Sequence, residues 1–176
     1  ISNRRWAFVR RLLLVGGLIA GGVLFSAASL QQVGLLYTTA AKAGFITGLY
    51  IILVPVIGLA LRHKTAANTW VGALVAVAGL YYLSVTEEFT IGYGDLLQVI
   101  GALFWAIHLL VLDHYSNRVA PIRLAGVQFV VCGLLSLGTA FVIETPTLGG
   151  AMAGWQALLY AGLVSVGIGY TLQVVG

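Results

Sequence analysis

The sequence predicts an all-α integral membrane protein, a polytopic bundle of transmembrane helices, and three observations carry that expectation. The chain is 60% hydrophobic and only 8% charged, against roughly 25% charged residues in ordinary soluble domains. Its mean hydropathy is +1.03. Between its charges lie apolar runs at residues 12–41, 43–61, 65–86, 96–112, 124–143 and 145–176, each near or above the roughly 17 to 25 residues that cross a bilayer as a helix. Six transmembrane helices are therefore expected. Strands of a membrane barrel would alternate apolar and polar positions over about 10 residues, and no such alternation is present.

The basic segment that opens the chain carries Arg4, Arg5, Arg10 and Arg11 with Trp6 and Phe8 among them, which suits a juxtamembrane stretch whose aromatics sit at headgroup level. The first helix is expected over residues 12–36, with Gly17 and Gly21 at the GxxxG spacing that lets a neighbouring backbone approach closely. Its second half turns polar at Ser26, Ser29, Gln31 and Gln32. A very short turn at residues 37–42 returns the second helix, residues 43–61, antiparallel beside the first. That helix has Gly44 and Gly48 at GxxxG spacing, Thr47 and Tyr50 three apart, and Pro55 in its interior. The proline removes a backbone hydrogen bond and is expected to kink the helix.

Arg62, His63 and Lys64 end the second helix, and a third over residues 69–85 carries Gly72, Ala76 and Gly79 as an expected packing seam. Residues 87–95 form an acidic, glycine-bearing loop, the expected boundary between domains 1–90 and 91–176. The fourth helix, residues 96–113, places Gln98, Gly101, Trp105 and His108 on one face at i, i+3, i+7 and i+10, a polar and aromatic stripe that should face inward. Pro121 opens the fifth helix, where a proline is tolerated, and Gln128, Cys132, Ser136 and Thr139 share a face of it. Residues 144–154 read as a loop, and the sixth helix, residues 155–176, lines up Gly162, Ser165, Gly169 and Gln173.

With the residue 1 side in the cytoplasm and the helices crossing alternately, Arg4, Arg5, Arg10, Arg11, Arg62, Lys64, Arg118 and Arg123 fall inside and Lys42 alone falls outside. This is the positive-inside pattern of an inner (plasma) membrane protein. Basic residues at helix ends rather than on one patch also argue against a nucleic-acid partner, despite the formal charge of +4. The single cysteine, Cys132, excludes an internal disulfide and a clustered thiolate metal site.

An internal repeat points to transport. Leu30-Gln31-Gln32-Val33-Gly34, near the end of the first helix, matches Leu172-Gln173-Val174-Val175-Gly176, near the end of the sixth, at four of five positions. The two helices cross in opposite senses, so the copies are inverted, as in many secondary transporters. Lying five helices apart, they imply halves of five helices each. Because the chain begins at Ile1 and stops at Gly176 within an apolar run, it is expected to be a piece of a longer protein.

The blocks QQVGLLYTTAAKAGFITGLYIILVPVIGLAL, TWVGALVAVAGLYYLSV and GDLLQVIGALFWAIHLLVLDHYS resemble EamA-type transporters of the drug/metabolite transporter superfamily, in order and spacing, over nearly the whole chain. The resemblance implies ten helices in inverted five-helix repeats, truncated here to the third to eighth. Residues 1–90 would be the last three helices of the first repeat, and 91–176 the first three of the second. It further implies a cavity to which the first, second, fourth and sixth helices of this chain contribute. Gln31, Thr47, Tyr50, Trp105, His108 and Gln173 are the candidate cavity residues, with Pro55 as the helix kink.

Each candidate has a structural reading beside the functional one. Gln31, Gln32 and Gln173 could contact substrate or hydrogen-bond between helices. Lys42, at a helix N-terminus where the macrodipole disfavours a cation, calls for an anionic partner or a route to water. His108 suits a proton relay or the interface, and Trp105 a stacking platform or core packing. No nucleophile and base pair, HExxH or acid cluster at depth supports an intramembrane enzyme, and no ring of charges or carbonyls supports a channel. The expected function is secondary transport, most simply export of small metabolites, amino acids or drug-like solutes by alternating access. The alternative is a non-transporting structural or assembly subunit of a membrane complex. A small-molecule substrate and the lipid bilayer are the expected partners, with no cofactor, no metal and no assignment of oligomeric state.

Overall fold

The computed structural model describes residues 3–62, 65–84 and 91–175, and side chains from Trp6 onward save those of Leu83, Ser84 and Ala151. His63, Lys64, Glu87 and Glu88 and the final residue of the second repeat block, Gly176, lie outside the described residues, as do the side chains of Arg4 and Arg5. The regular structure of the described residues is helical: α1 (Asn3–Gly34), α2 (Ala40–Gly48), α3 (Tyr50–Ala60), α4 (Ala67–Ser84), α5 (Tyr93–Ser116), α6 (Pro121–Ile143), α7 (Leu148–Ala153) and α8 (Trp155–Leu159), then a π-helical stretch (Tyr160–Tyr170) and α9 (Thr171–Val175).

Five helical spans among the described residues are long and apolar enough to cross a membrane: Trp6–Gly34, Ala40–Ala60, Tyr93–Ser116, Pro121–Ile143 and Trp155–Val175. The remaining expected span coincides with α4, an 18-residue helix whose far end meets residues outside the description. The molecule is thus a polytopic helical membrane protein.

The chain divides into two compact units, residues 26–110 and residues 1–25 with 111–176. In the unit of residues 26–110, α1 and α5 pack antiparallel. A Cβ on Gly101 would meet Leu30 and the Ala27 carbonyl, and one on Gly94 would meet the Gly34 carbonyl. Gly48 of α2 packs on the side chain of Leu80 of α4, and Ala43 and Ile46 are the buried residues of α2.

Two features of this unit add to what the sequence predicts. The face of α4 that is buried is marked by Ala73, whereas Gly72 and Gly79 are exposed and a Cβ there would meet nothing. Among the described residues nothing packs on Gly72 or Gly79: the helix turns its Ala73 and Leu80 side inward, and seven residues apart those two share a face. The second span also breaks, at Leu49. There the Leu49 N–H reaches the Ile46 carbonyl at 3.1 Å and the Ile52 N–H reaches the Leu49 carbonyl at 3.0 Å, a local tightening to three-residue hydrogen bonds. Pro55 itself lies buried within α3.

In the other unit the Gly17 and Gly21 pair of α1 does what its spacing predicts. Gly17 sits against Val127 and Gly21 against Val131 and the Gln128 carbonyl, so α6 runs parallel to α1 with two small residues matched to two valines. The core there is Ala20, Leu112, Val119, Leu124, Ala125 and Val174. The region expected as a loop at 144–154 contains the one-and-a-half-turn helix α7, its Thr147 hydroxyl accepting from the Gly150 N–H at 3.1 Å. The sixth span is π-helical through its middle. A Cβ on Gly167 would meet the Gly162 carbonyl, five residues back, at 3.1 Å. Glycines at 162, 167 and 169 leave room for this wider winding, which keeps backbone groups paired within the segment as lipid requires.

Candidate functional site

The polar groups of the unit of residues 26–110 gather on one face of α5. Asp95 is 3% exposed, Gln98 and His108 are 0% exposed and Trp105 is 7% exposed. They recur every three to seven residues along a helix whose other faces carry exposed Leu96, Val99, Ile100 and Leu103. The sequence periodicity that sets Gln98, Gly101, Trp105 and His108 on an inward stripe is what the fold displays.

Each end of this stripe has defined partners. The Gln98 carboxamide is held from both sides: its Nε2 donates to the Gln31 carbonyl of α1 at 2.9 Å, and its Oε1 accepts from the Thr47 hydroxyl of α2 at 3.1 Å. One turn earlier, the Asp95 carboxylate accepts from the Thr38 hydroxyl, from the Gly92 N–H at 2.9 Å and from the Lys42 ammonium at 2.9 Å. Lys42 to Asp95 and Thr47 to Gln98 rise together along the two helices, so α2 runs parallel to α5. The backbone approach that permits this is built from glycine: a Cβ on Gly34 would lie 2.7 Å from Gln98 Nε2. At the same end the rings of Tyr37 and Tyr93 meet edge to face with centroids 5.3 Å apart, exposed aromatics of the kind found at a membrane interface.

Further along, Trp105 and His108 meet edge to face, ring centroids 5.9 Å apart. Tyr50 is half-buried at the first position of α3. Gln173 lies in the other unit, exposed on α9. Of the candidate cavity residues, the fold thus links Gln31 and Thr47 through Gln98 and pairs Trp105 with His108. Gln31 takes part through its main-chain carbonyl rather than its side chain, which is half-buried. An open groove of about 460 Å³ runs between Ser29, Leu30 and Val33 of α1 and Leu97, Ile100 and Phe104 of α5. None of the candidate residues lines it, and its apolar walls suit a lipid tail or another helix better than a polar solute.

Sequence reasoning left Lys42 between an anionic partner and a route to water and did not pair it with Asp95, which reads in sequence as one more charge of an acidic loop. The signal that could have found the pair is the position of Asp95 at the head of a polar helical stripe, one turn before Gln98. Among the described residues no group of His, Cys, Asp and Glu is placed to hold a metal ion.

The profile of the EamA-like transporter family matches residues 92–176. A protein of Archaeoglobus fulgidus described as an uncharacterized transporter is 36% identical over 132 residues, which cover 74% of this chain and 42% of that protein. The chain therefore spans less than half the length of that relative, and the likeness necessarily extends beyond the segment matched by the family profile. No solved structure matches. With an apolar helical fold and a polar face buried along one span, the chain is similar to the EamA-like transporter family over residues 92–176 and to a transporter-named relative over 132 residues.

Proposed function

We propose that the protein to which this chain contributes is a secondary transporter that exports small metabolites, amino acids or drug-like solutes by alternating access across an inner (plasma) membrane. The observation that carries this reading is the buried face of α5. Intramembrane polar side chains are costly and mark solute or ion paths when they face protein rather than lipid, and here Asp95, Gln98 and His108 are all turned inward. The matches with a transporter family and a transporter relative support the same class.

In this reading residues 1–90 are the last three helices of one five-helix repeat and 91–176 the first three of its inverted partner. The family match beginning at residue 92 favours that division. The residue 1 side is cytoplasmic, which leaves Arg10, Arg11, Arg62, Arg118 and Arg123 inside. The packing senses support alternate crossing: α1 and α5 antiparallel, α2 and α5 parallel, α1 and α6 parallel. Gln31, Thr47, Tyr50, Trp105, His108 and Gln173 are the residues assigned to the path, and Pro55 to a kink in the second span.

The test is flux of a labelled metabolite panel by the full-length protein in sealed vesicles. Saturable movement of at least one solute is expected. The absence of saturable flux for every solute in either direction would favour the structural-subunit reading instead.

A further inference from the structure

We infer that the Lys42 and Asp95 ion pair is a latch that holds α2 against α5 in one conformation of the transport cycle and opens in another. The inference rests on the transport reading for its purpose but not for its test. Two kinds of contact join the helices of this unit, and they differ chemically. Between α1 and α5 the backbones meet at glycine, Gly94 against the Gly34 carbonyl and the Tyr37 main chain, a close-packed contact to which the bond from Gln98 to the Gln31 carbonyl is added. Between α2 and α5 the recorded polar links are side-chain bonds at the two ends of a nine-residue helix: Lys42 to Asp95 near its start and Thr47 to Gln98 near its finish. Such links can exchange partners without repacking a core.

The ion pair is also an odd choice for stability alone. The Asp95 side chain is 5% exposed and the Lys42 side chain 25% exposed, so the carboxylate bears a desolvation cost that the attraction roughly offsets. The span already carries a joint. At Leu49 the hydrogen bonding tightens between α2 and α3, and terminal residues of helices are where hinge rotations are absorbed. Gly48 under the Leu80 side chain packs α2 against α4.

The experiment uses the full-length protein in lipid, with Cys132→Ser and any other cysteines replaced. Spin labels are placed through Gly44→Cys on α2, where a Cβ meets nothing, and Leu96→Cys on α5, which is 52% exposed. Pulsed electron resonance then reads the distance between the helices. Lys42→Met and Asp95→Asn should each raise the ratio of long to short separations roughly tenfold. Thr38→Val, which removes one hydrogen bond to the carboxylate, should shift it the same way by less, and the swap of Lys42→Asp with Asp95→Lys should bring it back. Unchanged distances in both neutral variants, or a swap that behaves like them, would overturn the latch. So would loss of folded, monodisperse protein in the neutral variants, which would make the pair a structural staple. A restored distance ratio without flux of any solute would leave the latch standing and remove the transport reading.

Discussion

Gly94→Ala is the sharpest test of the packing that positions the polar face. A Cβ added there would lie 2.7 Å from the Gly34 carbonyl oxygen, 2.7 Å from the Tyr37 carbonyl carbon and 2.8 Å from Tyr37 Cβ. None of these is the far end of a flexible side chain, so no rotamer change relieves the clash. To reach ordinary contact the end of α1 and the start of α5 must separate by about 0.7 Å. The same movement would stretch the bond from Gln98 Nε2 to the Gln31 carbonyl, now 2.9 Å, past hydrogen-bond length. Overpacking costs about 1–3 kcal/mol, and the lost interhelical bond adds about 0.6–1.7 kcal/mol in a membrane. The gain in helix propensity, at most about 1 kcal/mol in a helix interior, is smaller at this first-turn position. A net loss of about 2–3 kcal/mol follows. The matched control is Gly44→Ala on α2, where a Cβ meets nothing and the residue is exposed, and a gain of about 0.5–1 kcal/mol is expected. Reversible unfolding of the full-length protein in mixed micelles, followed by circular dichroism, measures both. If Gly94→Ala proves as stable as Gly44→Ala, the close approach of the two helices, and the placement of Gln98 that depends on it, is refuted.

Gln98→Leu removes two interhelical bonds at once and should lower stability by about 1–3 kcal/mol in the same unfolding assay, taking the acceptor from the Thr47 hydroxyl and leaving the Gln31 carbonyl with the Leu35 N–H alone; a neutral result would show that the carboxamide is not holding α1 and α2 to α5. Gln31→Ala keeps the carbonyl that Gln98 uses, so stability should stay within about 0.5 kcal/mol while vesicle flux falls, and unchanged flux would remove this side chain from the path. Arg62 holds φ 64° after the end of α3, a left-handed position that favours glycine. Arg62→Gly should therefore raise the unfolding free energy by about 0.5–1 kcal/mol, and a destabilised variant would refute that backbone reading.

What the sequence makes legible follows from what the membrane removes. Spans are read from length and apolarity because no water competes for the backbone. The inward face of α5 is read from period alone, since Gln98, Trp105 and His108 are the residues lipid would not accept. The contact of Gly17 and Gly21 with α6 is legible because small residues at i and i+4 are the means by which membrane backbones approach. The same signal fails on α4, where Gly72 and Gly79 face outward. A glycine pair states that close approach is allowed, and which face is used depends on the partner's side chains. The Lys42 and Asp95 pair, 53 residues apart in sequence, needs the antiparallel return of α1 and the placement of α5 before it exists, and no local pattern contains it. The π-helical winding of the sixth span is likewise invisible to hydropathy, which is blind to whether a carbonyl is taken up four or five residues on.

The two kinds of helix contact bear on how such a protein moves. Lipid tails are as apolar as leucine, so burying apolar surface between helices brings little preference for one arrangement over another. Specificity must come from close backbone packing or from polar bonds. Where α1 meets α5 at Gly34 and Gly94, packing is decisive and any separation opens a gap with nothing to fill it. Where α2 meets α5, two side-chain bonds decide, and either can be exchanged for water or a solute group at modest cost. The division predicts which parts of residues 26–110 travel together: α1 with α5 as one body, and α2, carried with α4 through Gly48 and Leu80, as another. Under the transport reading proposed above, rocking of such bodies about polar contacts at the joint is the motion alternating access requires, and the distance between α2 and α5, rather than that between α1 and α5, is the coordinate that tests it.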